Sequence, residues 1–212
     1  MSQSQTPNDG SDSAASNSSD DRMVRQPAKR VLPAEFDRAI ETFQESDHER
    51  APNFTLLPTG ERANRVFVVG TLTEAGPAND DESYFRGRVV APTGDFYVGA
   101  GQYQPQAMAA LRSIEPPAFV AVVGKPDQFD TSEEGEEPSI LASITPESIT
   151  VVDRETRDHW VVEAAQHTLA RVDAFERDGA ADDVARAREA YGEDLEDYRA
   201  AAEEALEDVA GE

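Results

Sequence analysis

Five short runs rich in β-branched and aromatic residues lie between residues 64 and 153, and one helical stretch separates the third from the fourth. The first, Val66-Phe67-Val68-Val69-Gly70-Thr71-Leu72, is too apolar for an exposed strand and reads as buried. Gly70 inside it predicts a bulge or a sharp coil. An acidic turn from Gly76 to Asp81 leads to a second strand, Tyr84 to Val90. The turn Pro92-Thr93-Gly94-Asp95 makes a hairpin with a third, Phe96 to Ala100. Pro105 to Ile114 predicts a helix with Ala107, Met108 and Leu111 on one face and Pro105 in its first turn. Pro116-Pro117 ends it, and Phe119 to Gly124 is a fourth strand. Ile140 to Ile144 and Ile149 to Val152 supply a fifth, broken by Pro146.

The order β-β-β-α-β-β is that of the oligonucleotide/oligosaccharide-binding (OB) fold, a five-stranded, partly open barrel. A small SH3-like barrel or half a sandwich competes, and the helix between strands three and four favours the first. The expected fold class is therefore an all-β core, with C-terminal α-helices after it and a disordered tail before it. Residues 1–22 hold seven serines and no Val, Ile, Leu, Phe, Tyr or Trp. Such a segment buries too little apolar surface to offset its ordering entropy. Phe36, Ile40 and Phe43 mark a short amphipathic stretch, a helix or an irregular arm. Residues 51–60, with Pro52 and Pro58, read as a loop with one apolar anchor. Three segments result: a tail over 1–30, the barrel with its arm over 31–153, and a helical region over 154–212.

In that last region Trp160, Val161, Ala165, Leu169, Val172 and Phe175 recur at helical spacing on one stripe. Asp178-Gly179 ends the helix, a second begins near Asp182, and Gly192 interrupts it before Leu195, Tyr198, Ala202, Leu206 and Val209. Stripes this thin do not make a second core. They pack on the barrel or on another chain.

Charge bounds the partners. The 212 residues carry a net charge of −24, with 43 Asp and Glu against 19 Lys and Arg. Only Lys29 and Lys125 are lysines; the other 17 basic residues are arginines. The three zones 1–60, 61–153 and 154–212 carry −4, −9 and −11. A Lys-poor acidic surface suits a cell with molar salt inside, where the Debye length is roughly 3 Å and self-repulsion is screened. A halophilic source is the expectation, with a merely acidic protein as the alternative. Cysteine is absent, which excludes disulfides and thiolate chemistry. No apolar run reaches the roughly 18 residues of a membrane span, and the N-terminus lacks a signal-peptide core, so a soluble, cytoplasmic protein without membrane contact is expected.

Catalysis has little to work with. His159 and His167 lie eight apart, beyond the i, i+4 spacing that closes a metal site, and His48 stands alone. There is no phosphate loop, nucleophile elbow or zincin helix. Glu133-Glu134-Gly135-Glu136-Glu137 reads as a solvated loop, and the sequons at Asn17 and Asn53 have no secretory context. No enzyme activity, cofactor or metal is expected. The second and third strands say more. With Phe85, Val89, Phe96 and Val98 inside, alternation puts Tyr84, Arg86, Arg88 and Tyr97 outside, with Tyr103 nearby. This barrel class binds oligonucleotides on those strands. Aromatic faces stack bases at roughly 1–3 kcal/mol per base, and Arg adds phosphate contacts. In molar salt, binding by counterion release fades, so stacking carries more of the affinity and an acidic chain is not excluded.

With barrel and helices in place, the chain resembles the haloarchaeal replication protein A-associated proteins, related to the smaller subunit of archaeal replication protein A. The matching segments are LPTGERANRVFVVGTLT from Leu57 to Thr73, FRGRV from Phe85, PTG from Pro92, AGQYQP from Ala100, EPPAFVAVVGKP from Glu115 and PESI from Pro146. The resemblance implies one barrel per chain, acting in DNA replication and repair. It also implies association with a larger OB-fold subunit that binds single-stranded DNA. Subunits of such complexes assemble through a helix after the barrel, a role that the stripe from Trp160 to Phe175 fits. The alternative is a protein-only assembly factor whose barrel does not touch DNA.

Overall fold

A computed structural model describes residues 26–45, 51–130, 140–177 and 181–211. The serine-rich tail through residue 25, His48 and the 133–137 acidic run lie outside the described residues. The elements in chain order are β1 (Lys29–Arg30), α1 (Pro33–Phe36), β2 (Glu41–Gln44), β3 (Asn53–Leu56), β4 (Arg62–Ala63), β5 (Val66–Pro77), β6 (Phe85–Ala91) and β7 (Gly94–Ala100). There follow α2 (Pro105–Ser113), β8 (Ala118–Asp130), β9 (Ile140–Val151), α3 (Arg154–Arg177), α4 (Asp182–Tyr191) and α5 (Glu196–Gly211).

Strands β5 to β9 run in the order β5-β6-β7-β9-β8, and β8 pairs back onto β5, so the sheet closes. The closure between β7 and β9 is parallel, at Val98 and Ile144, while every other barrel pairing is antiparallel. A closed five-strand barrel with its helix between the third and fourth strands is the OB fold.

Two glycines let the strands coil tightly. A Cβ on Gly70 would fall 2.4 Å from the Val90 carbonyl oxygen, and one on Gly124 would fall 2.5 Å from that of Thr145. Of the bulge or sharp coil expected at Gly70, it is the bulge that lies elsewhere: the β5–β6 register shifts three residues later, between Leu72 and Glu74. Nor does Pro146 break the last strand. It stands opposite Gly124, with Glu147 as the extra residue of a bulge, and β9 continues through it.

Residues 51–60 are not the loop their prolines suggest. Asn53–Leu56 is the middle strand of a small antiparallel sheet, β2-β3-β4. Three apolar anchors, Phe54, Leu56 and Leu57, are buried where one was expected. Phe54 stacks on Phe43 across the β2–β3 pair at 5.8 Å and 27°. Burial on both faces outweighs the turn chemistry at either end.

The C-terminal helices pack on the barrel and the arm. The Trp160 indole N–H donates to the Phe67 carbonyl at 2.9 Å, and its ring meets Phe96 edge-on at 6.4 Å. Trp160, Val161 and Ala165 join the barrel core. Val172 and Phe175 join Leu56, Val184, Ala187, Leu195 and Tyr198 in a smaller cluster, and Leu169 is partly buried against the main core. The stripe read as a docking surface for another subunit is therefore covered by this chain's own barrel, arm and helices. Periodicity identified a buried face; only tertiary structure says against what it is buried. Among the described residues no helix is long and apolar enough to cross a membrane.

Candidate nucleic-acid interface

On β6, Phe85, Gly87 and Val89 point inward, and on β7 Phe96 and Val98 do the same. Alternation then turns Arg86, Arg88 and Tyr97 outward, as the sequence implied. Register sets Arg86 opposite Gly99 and Arg88 opposite Tyr97.

Tyr84 ends the turn before β6. That turn is held by the Ala78 N–H donating to the Tyr84 carbonyl at 2.8 Å and the Tyr84 N–H donating to Asn79 Oδ1 at 3.2 Å. Its ring lies on the bare backbone of Gly99 and Gly101. A Cβ on Gly99 would sit 2.0 Å from the Tyr84 hydroxyl oxygen, and one on Gly101 3.1 Å from its ring. The two glycines thus form a seat for one ring. Partial burial raises the Tyr84 pKa, and Asp127 adds to the effect while Arg86 opposes it. The hydroxyl stays neutral.

The Arg86 guanidinium lies 5.6 Å from the Phe129 ring centroid, so a side chain of β6 meets the far end of the β8–β9 hairpin. Arg112, on α2, covers Phe85 at 4.5 Å and donates to the Glu82 carbonyl at 2.8 Å. Arg88 differs. It is bound to Asp95 at 2.6 and 2.9 Å and to Glu74 at 3.2 Å, and those hydrogen bonds raise its pKa. Its charge is neutralised within the protein.

Four cations stand on the barrel strands and α2: Arg86, Arg88, Arg112 and Lys125. Only Arg88 has a carboxylate within ion-pair distance among the described residues. In so acidic a chain this is selective. The other arginines of the face lie over aromatic rings instead.

The structure therefore brings Tyr84 and Arg86 to one surface, places Tyr97 beside the neutralised Arg88, and sets Tyr103 apart, 84% exposed in the loop before α2. Phe129 and Arg112 were missed by sequence reasoning. The sequence pattern ends the fourth strand at Gly124, whereas β8 runs on to Asp130. Carrying the alternation through Lys125 and Asp127 would have put Phe129 on the outer face. Among the described residues no cluster of three or more His, Asp or Glu is placed to hold a metal ion.

No family model matches the chain, and no curated protein matches it in sequence. Among solved structures, a chain of a replication protein A heterotrimer bound to ssDNA is similar at 16% identity over 69% of this chain and 98% of that one, with a TM-score of 0.47. A chain of the S. pombe Stn1–Ten1 complex matches at 12% identity over 58% of this chain and 84% of its own, TM-score 0.49. The S. cerevisiae mitochondrial single-stranded DNA binding protein Rim1 matches at 14% identity over 42% of this chain and 92% of its own, TM-score 0.32. The fold assignment rests on strand order and register, and these likenesses carry no function across.

Proposed function

We propose that this chain binds single-stranded DNA on the outer face of β6 and β7, as a non-enzymatic accessory subunit beside a larger OB-fold single-stranded-DNA-binding protein of the replication protein A type. The observation that carries the reading is that, among the described residues, Arg86, Arg112 and Lys125 have no carboxylate within ion-pair distance, next to a tyrosine held on a glycine seat. Guanidinium groups lying over rings offer a base both a stacking plane and a phosphate contact. Few cations are involved, so the salt dependence should be shallow enough for binding to persist in molar salt, in keeping with a halophilic cytoplasm and with work in replication and repair. A partner subunit would use a surface other than the stripe from Trp160 to Phe175.

Titration of fluorescent oligo-dT with the full chain in molar KCl tests this. Saturable binding that Tyr84→Ala weakens supports it; no binding at any salt refutes it. A protein-only role has one observation in its favour, the Arg88–Asp95–Glu74 network, which spends one of the four cations on structure. Stabilisation of a partner by a chain with no DNA affinity would establish that role instead.

A further inference from the structure

The geometry points to a second nucleotide subsite at the loop after β7. It rests on the single-stranded-DNA reading above and extends the strand's path beyond Tyr84 and Arg86. Tyr103, Gln104, Gln106, Lys125, Thr145 and Glu147 line a groove of about 400 Å³. That is within the roughly 300–1,000 Å³ of small-ligand sites.

Tyr103 is the most exposed large hydrophobic residue among the described residues, at 84%. It is nonetheless held in place. The Gln104 N–H donates to the Gly101 carbonyl at 3.0 Å, and the Gly101 N–H donates to Gln104 Oε1 at 3.2 Å, so the turn carrying the ring is closed from both ends. Pro105 then starts α2 and fixes the exit. A ring presented on a closed turn loses little backbone freedom on stacking.

Lys125 is the barrel's only lysine and is exposed. Among the described residues no carboxylate lies within ion-pair distance of it. Glu147 accepts from Arg65 at 2.6 Å, and Asp127 accepts from the Thr145 hydroxyl at 2.7 Å. The groove therefore offers an ammonium with no ion-pair partner among the described residues and an exposed aromatic face. Gln106 adds amide donors and an acceptor, and Gln104 adds its Nε2 donors, since its Oε1 already accepts from Gly101. Phosphate alone would leave the ring unused, and an acidic peptide would leave the amides and the stacking plane without partners. A nucleotide of a passing strand meets all three: phosphate on Lys125, base on Tyr103, base edge toward the amides.

The test is fluorescence anisotropy with full-length protein in molar KCl, using oligo-dT from about 4 to about 16 nucleotides, the range of site sizes for one such barrel. The variants are Tyr103→Ala/Lys125→Gln and Tyr103→Phe, with thermal unfolding measured in parallel. Wild-type affinity should step up once the strand is long enough to reach the groove. The double variant should lose about 5- to 150-fold beyond that step, the range expected for one stacked base, and nothing below it. Tyr103→Phe, which keeps the ring, should behave as wild type. If the double variant matches wild type at every length, the subsite is refuted and the main reading stands. If it loses affinity equally at the shortest lengths, Tyr103 and Lys125 belong to the main site and a separate subsite is again refuted. If wild type binds no oligonucleotide, the single-stranded-DNA reading itself falls.

Discussion

Two regions treat charge in opposite ways. Between the arm and the helices, Glu35 is fully buried on α1 and Arg171 nearly so on α3. The Arg171 Nε–H donates to Glu35 Oε1 at 3.0 Å, Thr168 donates to Oε2 at 3.3 Å, and the Thr59 hydroxyl donates to the same carboxylate. Glu61 lies 3.5 Å from the other side of the guanidinium. Every charge there is answered, so the cluster fastens arm, small sheet and helix together and has nothing left for a ligand. On the barrel's outer surface, Arg86 on β6 and Lys125 on β8 have no carboxylate within ion-pair distance among the described residues, and the rings of Tyr84 and Tyr103 are exposed. Satisfied polar groups build structure; spared ones wait for something from outside.

The contrast breaks first at the buried cluster. Glu35→Ala leaves Arg171 buried with a weakened partner set and should cost about 3–5 kcal/mol, read as a lower urea midpoint in molar KCl. The paired replacement Glu35→Leu with Arg171→Met should recover most of that loss. Neither should change oligo-dT affinity of the folded fraction. On the outer face the pattern reverses: Tyr84→Ala should weaken oligo-dT by about 5- to 150-fold, with thermal stability nearly kept.

A smaller effect belongs to Tyr191, which ties α4 to the arm. Its hydroxyl accepts from the Glu41 N–H at 2.7 Å and donates to the Leu56 carbonyl at 2.9 Å. Burial pushes its pKa from 10.0 up to about 12. The folded state therefore holds the proton that the unfolded chain releases above pH 10, so this stabilisation is complete below pH 10 and is lost as pH rises towards 12. Urea melts at pH 9 and 11.5 should show a decline that Tyr191→Phe reduces; an equal decline in both would contradict the assignment. Smallest of all, Arg88→Gln should leave oligo-dT affinity unchanged, because that guanidinium is already bound by Asp95 and Glu74. A clear loss would mean the charge is shared with the strand.

How far the sequence foretells this varies by region. The barrel strands were legible because β-branched runs and turn residues agree, and the outer positions of Arg86, Arg88 and Tyr97 followed from alternation alone. Strand β3 was hidden because Pro52 and Pro58 flank it and its partners come from separate segments. The outer end of β8 was hidden because Pro126 and Asp127 look like a turn. The Glu35–Arg171 pair left no local trace, since 136 residues separate its members. The stripe from Trp160 to Phe175 was legible as buried, but its partner was this chain's own barrel.

The most direct measurement is the salt dependence of oligo-dT binding by the full chain between moderate and multimolar KCl. With three cations, Arg86, Arg112 and Lys125, at about −0.7 each, log affinity should fall with log salt no more steeply than about −2, and binding should persist in molar salt. A much steeper slope, or no binding at all, would contradict the account of a stacking face on β6 and β7.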